Sequence, residues 1–261
     1  MKKVLLLCVI LMSLSQGVMA KKITKDVVSD TIKLIDIAGK QRMLSQRIVK
    51  NYLYIGNKVA TFKAKKQLKK ALSELKNSHQ VLVDSINDPE IKNLLLFVEM
   101  STEDFEATSK ENYTLDNAKL ILDLGESMLE GSQYVVDSLK NSVKTNESKI
   151  VDIAGRQRML SQRIAKYYMA YQSGIRDINT IEQMQESVKI FASSHEKLMK
   201  NPDNTPEINR NLKRVDRLWK IVYKFYLNIE KGGLPLIVFN TTDTIMKKMN
   251  TITGLYTKMY Q

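Results

Sequence analysis

A segment of 13 residues occurs twice in this chain, and the repeat limits the folds that the chain can form. Residues 36–48 read DIAGKQRMLSQRI, and residues 152–164 read DIAGRQRMLSQRI. Between residues 35–50 and residues 151–166, 13 of 16 positions are identical, whereas outside this stretch mainly the apolar pattern persists. A chain with such a repeat is expected to contain two copies of one structural unit. We call each 13-residue segment a box.

Weaker matches extend the repeat beyond the boxes. Ser78-His79 returns as Ser194-His195 with the same offset of 116, and the tripeptide PEI at 89–91 returns at 206–208 with an offset of 117. The repeat therefore predicts two units, at residues 21–140 and 141–261.

The first 20 residues, MKKVLLLCVILMSLSQGVMA, have the form of a secretory signal peptide. Two lysines precede an apolar run, and small residues lead to a predicted cleavage site after Ala20. The alternative is an uncleaved anchor in the inner membrane, but a run of about 11 apolar residues is short for a span, which needs about 20. We therefore expect a periplasmic protein that loses Cys8, the only cysteine of the chain.

The composition favours helices, because only 10 Gly and 4 Pro are spread over 261 residues and few runs alternate between polar and apolar. Each unit is predicted to contain four helices. Between residues 140 and 149 there is no Gly or Pro, so the last helix of the first unit is expected to continue into the second unit. The predicted fold is all-α, with two tandem antiparallel four-helix bundles joined by a long shared helix. The predicted helices are 23–56, 62–86, 89–109, 114–140, 147–172, 179–200, 205–231 and 235–260.

The first helix is apolar on two sides, and one side has the spacing of a coiled-coil seam. An apolar seam needs a partner outside its own bundle, so the chain is a possible homodimer through this seam of the first helix. The seam residues are Ile32, Ile35, Gly39, Arg42, Gln46, Val49 and Leu53.

The centre of the seam is unusual for a helix that packs on another. Gly39 costs about 1 kcal/mol relative to alanine but allows close backbone approach. Arg42 needs an anion to offset its desolvation, and Asp36 is expected to point away, toward Lys40. The anion is therefore expected from another helix or from a ligand. In the alternative interpretation the arginines reach solvent or pair with a carboxylate and are structural. The candidate ligand-binding residues in the two copies are Gly39, Arg42, Gln46, Gly155, Arg158 and Gln162.

The boxes resemble the N-terminal domain of PilJ-type (type IV pili) methyl-accepting chemotaxis transducers and the periplasmic domain of NarX/NarQ-type nitrate/nitrite sensor kinases. The shared pattern, A-G-x-x-R-M-x-S-x-R, begins at Ala38 and again at Ala154. The resemblance implies a four-helix sensor module in each unit. In the nitrate sensors this arginine binds nitrate where the first helices of two subunits meet, which assigns that role to Arg42 and Arg158.

Other functions have little support in the sequence. The formal charge of +13 suits an anionic ligand or partner, and nucleic acid is not expected for an exported protein. No catalytic motif occurs, so we expect no enzyme and no cofactor. His79 and His195 occupy equivalent positions but predict no metal site. The first hypothesis is a periplasmic module that binds a small anion, either a nitrate- or nitrite-like oxyanion or a carboxylate, and acts with a membrane sensor or chemoreceptor. The alternative is a ligand-free adaptor that docks on a chemoreceptor, pilus or secretion component.

Overall fold

The structure is a computed structural model that describes residues 2–231 and 233–260, with side chains from residue 26 onward. The predicted signal peptide and its cleavage after Ala20 lie outside the residues with described side chains. Among the residues that are described, no helix has a stretch long and apolar enough to cross a membrane.

The described part of the chain contains eight α-helices and no β-strand, which confirms the all-α prediction with four helices in each half. A short 3-10 turn at Ile229–Lys231 follows the seventh helix, where the sequence predicted continuous helix to residue 231. The helices are α1 Lys2–Gly56, α2 Thr61–Ser85, α3 Pro89–Thr108, α4 Leu115–Val143, α5 Asn146–Gln172, α6 Ile178–Met199, α7 Pro206–Tyr226 and α8 Pro235–Met259.

Several helices begin where a short polar side chain accepts a hydrogen bond from the first turn. Asp88 accepts from the backbone N–H of Ile91 at the start of α3, and Thr205 accepts from that of Ile208 at the start of α7. A proline follows each of these caps, at the first position of the helix. The backbone nitrogen there has no acceptor within the helix, so the missing N–H of proline costs no hydrogen bond. These local signals explain why the predicted starts of α3 and α7 lie within one residue of the observed ones, whereas α1, predicted to begin at residue 23, begins at Lys2.

The predicted shared helix between the two halves is wrong. Helix α4 ends at Val143, and Lys144 adopts the left-handed conformation with φ of 49°. Thr145 then caps α5, since its hydroxyl accepts a hydrogen bond from the backbone N–H of Ser148. The chain therefore turns between α4 and α5 without a glycine or a proline.

Because of this turn, the two halves lie side by side and not end to end. Helices α1 and α5 pack against each other, with α2 and α4 on α1 and with α6 and α8 on α5. Near their C-terminal ends, the Asn57 side chain donates to Ser173 Oγ at 2.7 Å. Two tyrosines form hydrogen bonds at the start of α8. The Tyr54 hydroxyl donates to the carbonyl of Pro235, and the Tyr168 hydroxyl accepts from the backbone N–H of Leu234. Helices α1 and α5 are thus parallel, and a pseudo-twofold relation places equivalent residues of the two copies opposite one another.

The apolar seam of α1 is buried inside the single chain. Ile32, Ile35, Val49 and Leu53 are at most 1% exposed, and α1 is enclosed by α2, α4 and α5. The prediction that α1 needs a partner beyond its own unit is confirmed, but the partner is α5. The predicted homodimer through the seam is wrong, because the seam has no free surface for a second molecule.

Candidate anion-binding site

The two boxes meet at their glycines. A Cβ on Gly39 would lie 3.2 Å from Nη2 of Arg42 and 3.4 Å from Nη2 of Arg158. A Cβ on Gly155 would lie 3.2 Å from Nη2 of Arg158 and 3.8 Å from that of Arg42. The two glycines therefore leave the space in which both guanidinium groups sit, at the contact of α1 and α5.

Each arginine forms an ion pair with the aspartate of the opposite box. Arg42 Nη2 lies 2.7 Å from Oδ1 of Asp152, and Arg158 Nη2 lies 2.6 Å from Oδ1 of Asp36. The expectation that Asp36 points toward Lys40 is wrong, since Lys40 pairs with Glu74 at 3.3 Å. Of the two anion sources that the sequence left open, the structure supplies another helix of the same chain.

Side-chain amides and one lysine complete the arginine site. Arg42 Nη1 donates to Gln133 on α4 at 2.6 Å, and Arg158 Nη1 donates to Asn250 on α8 at 3.1 Å. Lys140 Nζ lies 2.7 Å from the second oxygen of Asp152. Burial raises the pKa of Asp152, but Arg42 and Lys140 together bring it below its ordinary value. Asp152 therefore stays ionised at neutral pH.

Each arginine retains a buried Nε–H donor that is not used. The Nε–H groups of Arg42 and Arg158 are buried and have no acceptor among the described residues. A buried donor without an acceptor costs free energy, about 1–3 kcal/mol. The two guanidinium groups can therefore each donate a further hydrogen bond to an oxygen atom.

Gln46 and Gln162, the other predicted site residues, do not contact the guanidinium groups in hydrogen bonds. The Gln46 amide donates to the backbone carbonyl of Gly125 on α4 at 3.0 Å, and the Gln162 amide donates to that of Thr242 on α8 at 3.4 Å. Both side chains are fully buried. In this arrangement they join each box helix to the last helix of its own half.

Two further ion pairs connect the halves, and they were not predicted from the sequence. Lys50 Nζ lies 2.6 Å from Asp243 on α8, and Lys166 pairs with Glu126 on α4. Both lysines are fully buried, and burial lowers the pKa of each to about 8, against the opposing effect of its carboxylate partner. The sequence did contain a signal for these pairs. Lysine occurs at the equivalent positions 50 and 166, and an acid occurs at the equivalent positions 126 and 243 of the last helices, which are offset by 117.

The two histidines are not brought together. His195 is buried on α6 and stacks on Phe191, whereas His79 lies near Glu99, with 3.6 Å between Nε2 and a carboxylate oxygen. Within residues 26–231 and 233–260, no cluster of three or more His, Cys, Asp or Glu side chains has the arrangement of a metal site.

The comparison with family models decides the relationship. The model described as PilJ, the type IV pili methyl-accepting chemotaxis transducer N-terminal domain, matches residues 30–94 and 140–231, more than half of the chain. This chain belongs to the PilJ family. Each matched segment contains one box, which agrees with two tandem PilJ copies. The family is one of sensor-type domains of chemotaxis transducers, whereas the likeness to NarX/NarQ-type sensors stays a prediction. No curated protein and no solved structure gave a significant match.

Proposed function

We propose that this PilJ protein is a periplasmic sensory module that captures a small anion and acts with a membrane signalling partner such as a chemoreceptor. The anion would be a nitrate- or nitrite-like oxyanion or a carboxylate. The observation that supports this proposal most is the convergence of Arg42 and Arg158 at Gly39 and Gly155. A guanidinium group binds planar oxyanions through two parallel hydrogen bonds, which suits either ligand class.

The two aspartates act as internal oxyanions with which a ligand competes. Asp36 has a side chain 25% exposed, so it can turn to water when an external anion takes its place on Arg158. The unused Nε–H groups of both arginines give such an anion additional donors. The surroundings are largely shielded from water, where a charge-assisted hydrogen bond is stronger than at an exposed surface.

Anion capture would change the contact between the two halves. Replacing Asp36 or Asp152 by a ligand removes an ion pair that joins α1 to α5, whereas Lys50–Asp243 and Lys166–Glu126 continue to hold the halves together. A ligand with different affinities for two arrangements shifts the population between them. A membrane partner that contacts both halves would detect that shift.

A second candidate function has its own supporting observation. Each arginine already has a carboxylate and a side-chain amide, so its burial needs no external anion. In that case the boxes are structural, and the protein is a ligand-free adaptor for a chemoreceptor, pilus or secretion component.

Thermal melts and calorimetry with nitrate, nitrite and acetate separate the two functions. A ligand that binds only the folded state raises the melting temperature by linkage. We expect such a rise in the wild type and its loss in Arg42→Lys/Arg158→Lys, which keeps both charges but loses the planar fork. Arg163→Lys, outside the contact of the boxes, is the matched control and should keep the rise. If no anion shifts the wild-type melt, the adaptor function is favoured.

A further inference from the structure

A cavity of about 230 Å³ lies between α1, α2 and α8, and its lining includes Asn250, the hydrogen-bond partner of Arg158. Its floor is apolar and buried, formed by Met43, Leu44, Ala71 and Met246. Its charged lining consists of four cations, Lys40, Arg47, Lys70 and Lys247, and one anion, Glu74, which gives a formal charge of +3. A concave site with an apolar floor and a few polar groups is typical of small-molecule binding.

Arg47, the last arginine of the first box, has no carboxylate partner in the described part of the chain. Its Nη1 approaches only Sδ of Met246, at 3.6 Å, and sulfur is a weak acceptor. Burial lowers the pKa of Arg47, although Asp243 and Glu74 act in the opposite direction. A largely desolvated guanidinium without an oxygen acceptor is a strong donor for an anionic ligand.

The second copy shows what Arg47 lacks. The equivalent Arg163 lies 2.7 Å from Glu126 and donates to Gln183 at 2.6 Å. For Arg47 the corresponding acid is Asp243 on α8, whose side chain is one methylene shorter. Asp243 is engaged by Lys50 at 2.6 Å and by Gln67 at 2.5 Å. The shorter carboxylate therefore leaves Arg47 unpaired.

An equivalent cavity exists beside Arg163, and its charges are balanced. It is lined by Arg156 and Arg163 and by the acids Glu126 and Glu130. Glu130 stands where the first cavity has Lys247, at an offset of 117. The pseudo-twofold relation thus provides two cavities of one design, of which the first alone has an excess of positive charge.

We propose that the cavity beside Arg47 is a binding site for a small organic dicarboxylate. One carboxylate accepts the paired N–H groups of Arg47, and the other is neutralised by the lysines at the rim, while the methylene groups lie on the apolar floor. The apolar floor favours an organic dianion over an inorganic one, because apolar contact adds to charge pairing. Neither Arg42 nor Arg158 lines this cavity, although Asn250 in its lining accepts a hydrogen bond from Arg158, and the proposal does not depend on a ligand binding between the boxes.

Calorimetric titration of the full chain with succinate tests the site. We expect saturable binding, weakened at least about tenfold in Arg47→Gln through loss of a charged hydrogen-bond donor. Lys247→Glu, at an exposed position of the rim, copies the second cavity and should weaken binding about threefold to tenfold without affecting the fold. Arg163→Gln is the matched control, since its guanidinium already has a carboxylate, and should bind as the wild type does.

Uncharged succinamide and the inorganic anion sulfate serve as comparison ligands, and both are expected to bind more weakly than succinate. The proposal is overturned if the wild type gives no heat with succinate. It is also overturned if Arg47→Gln and Lys247→Glu bind succinate as tightly as the wild type does. Equal binding of succinamide or of sulfate overturns the dicarboxylate assignment. Each of these variants leaves Arg42 and Arg158 intact, so failure here is distinct from failure of the anion site between the boxes.

Discussion

Arg42 shows how a buried charge depends on its partner. The sequence left open whether the anion that offsets the burial of Arg42 comes from another helix or from a ligand. The structure pairs Arg42 with Asp152, so Arg42→Ala leaves a carboxylate whose side chain is only 12% exposed. Breaking a buried ion pair costs about 3–5 kcal/mol, with Lys140 reducing the loss in this case.

A double-mutant cycle measures this dependence. In urea unfolding, Arg42→Ala/Asp152→Ala should be less destabilised than the sum of the two single variants, with a coupling of at least about 1 kcal/mol. Additive single changes would mean that the pair contributes no specific stabilisation. The box alone did not predict that each arginine pairs with the aspartate of the opposite copy. Both boxes contain the same aspartate and the same arginine, so the sequence does not distinguish pairing within a copy from pairing between copies. The parallel contact of α1 and α5 decides which aspartate meets which arginine.

Two glycines in helices should respond to alanine with opposite signs. A Cβ on Gly125 would lie 2.4 Å from Cγ2 of Val49, a buried β-branched side chain with little freedom to move. We expect Gly125→Ala to destabilise by about 1–3 kcal/mol as overpacking. Gly254 has nothing within 4 Å, so Gly254→Ala should stabilise by up to about 1 kcal/mol through helix propensity. Thermal or urea unfolding of both variants checks this, and equal signs would contradict the close approach of α1 and α4 at Gly125.

At the scale of the elements, the turn between α4 and α5 rests on two residues. Lys144 has φ of 49°, a conformation that glycine adopts without steric cost, so Lys144→Gly should stabilise by about 0.5–1 kcal/mol. Thr145→Ala should destabilise by about 1 kcal/mol, because the backbone N–H of Ser148 loses its acceptor. If both variants were neutral in urea unfolding, the continuous helix predicted from the sequence would be favoured again.

The helices themselves were largely predictable, and their connection was not. Caps such as Asp88-Pro89 and Thr205-Pro206 mark helix starts in the sequence, and the observed starts follow them. Thr145, with Glu147 in the first turn of α5, was a similar signal. The absence of Gly and Pro nevertheless led to the prediction of a continuous helix. A lysine in the left-handed conformation can also end a helix, at a modest cost in free energy. The missed turn then gave the wrong arrangement of the two halves.

At the scale of the whole molecule, acid should weaken the contact between the halves. Burial raises the pKa values of Glu126 and Asp243, but Lys166 and Lys50 bring them below their ordinary values of 4.5 and 3.8. As the pH falls, the unfolded chain takes up these protons first, so the stabilisation is complete above about pH 5 and is lost progressively as the pH falls below these ordinary values toward the lower pKa values of the folded protein. We expect the melting temperature to fall across this range. Lys50→Met/Asp243→Leu should reduce the slope, and a constant melting temperature down to pH 3 would contradict the role of these pairs.

The central claim is that the two PilJ copies face each other within one chain through parallel helices α1 and α5. Spin labels at cysteines replacing Asn57 and Ser173, with Cys8 changed to serine, test it by electron paramagnetic resonance in samples diluted with unlabelled protein. Since these side chains share a hydrogen bond of 2.7 Å, we predict strong dipolar broadening, with label separations below about 20 Å, that survives dilution. Two bundles joined end to end would separate the labels by about one bundle length, roughly 40 Å at 1.5 Å per helical residue. Such a distance, or broadening that disappears on dilution, would contradict the fold described here.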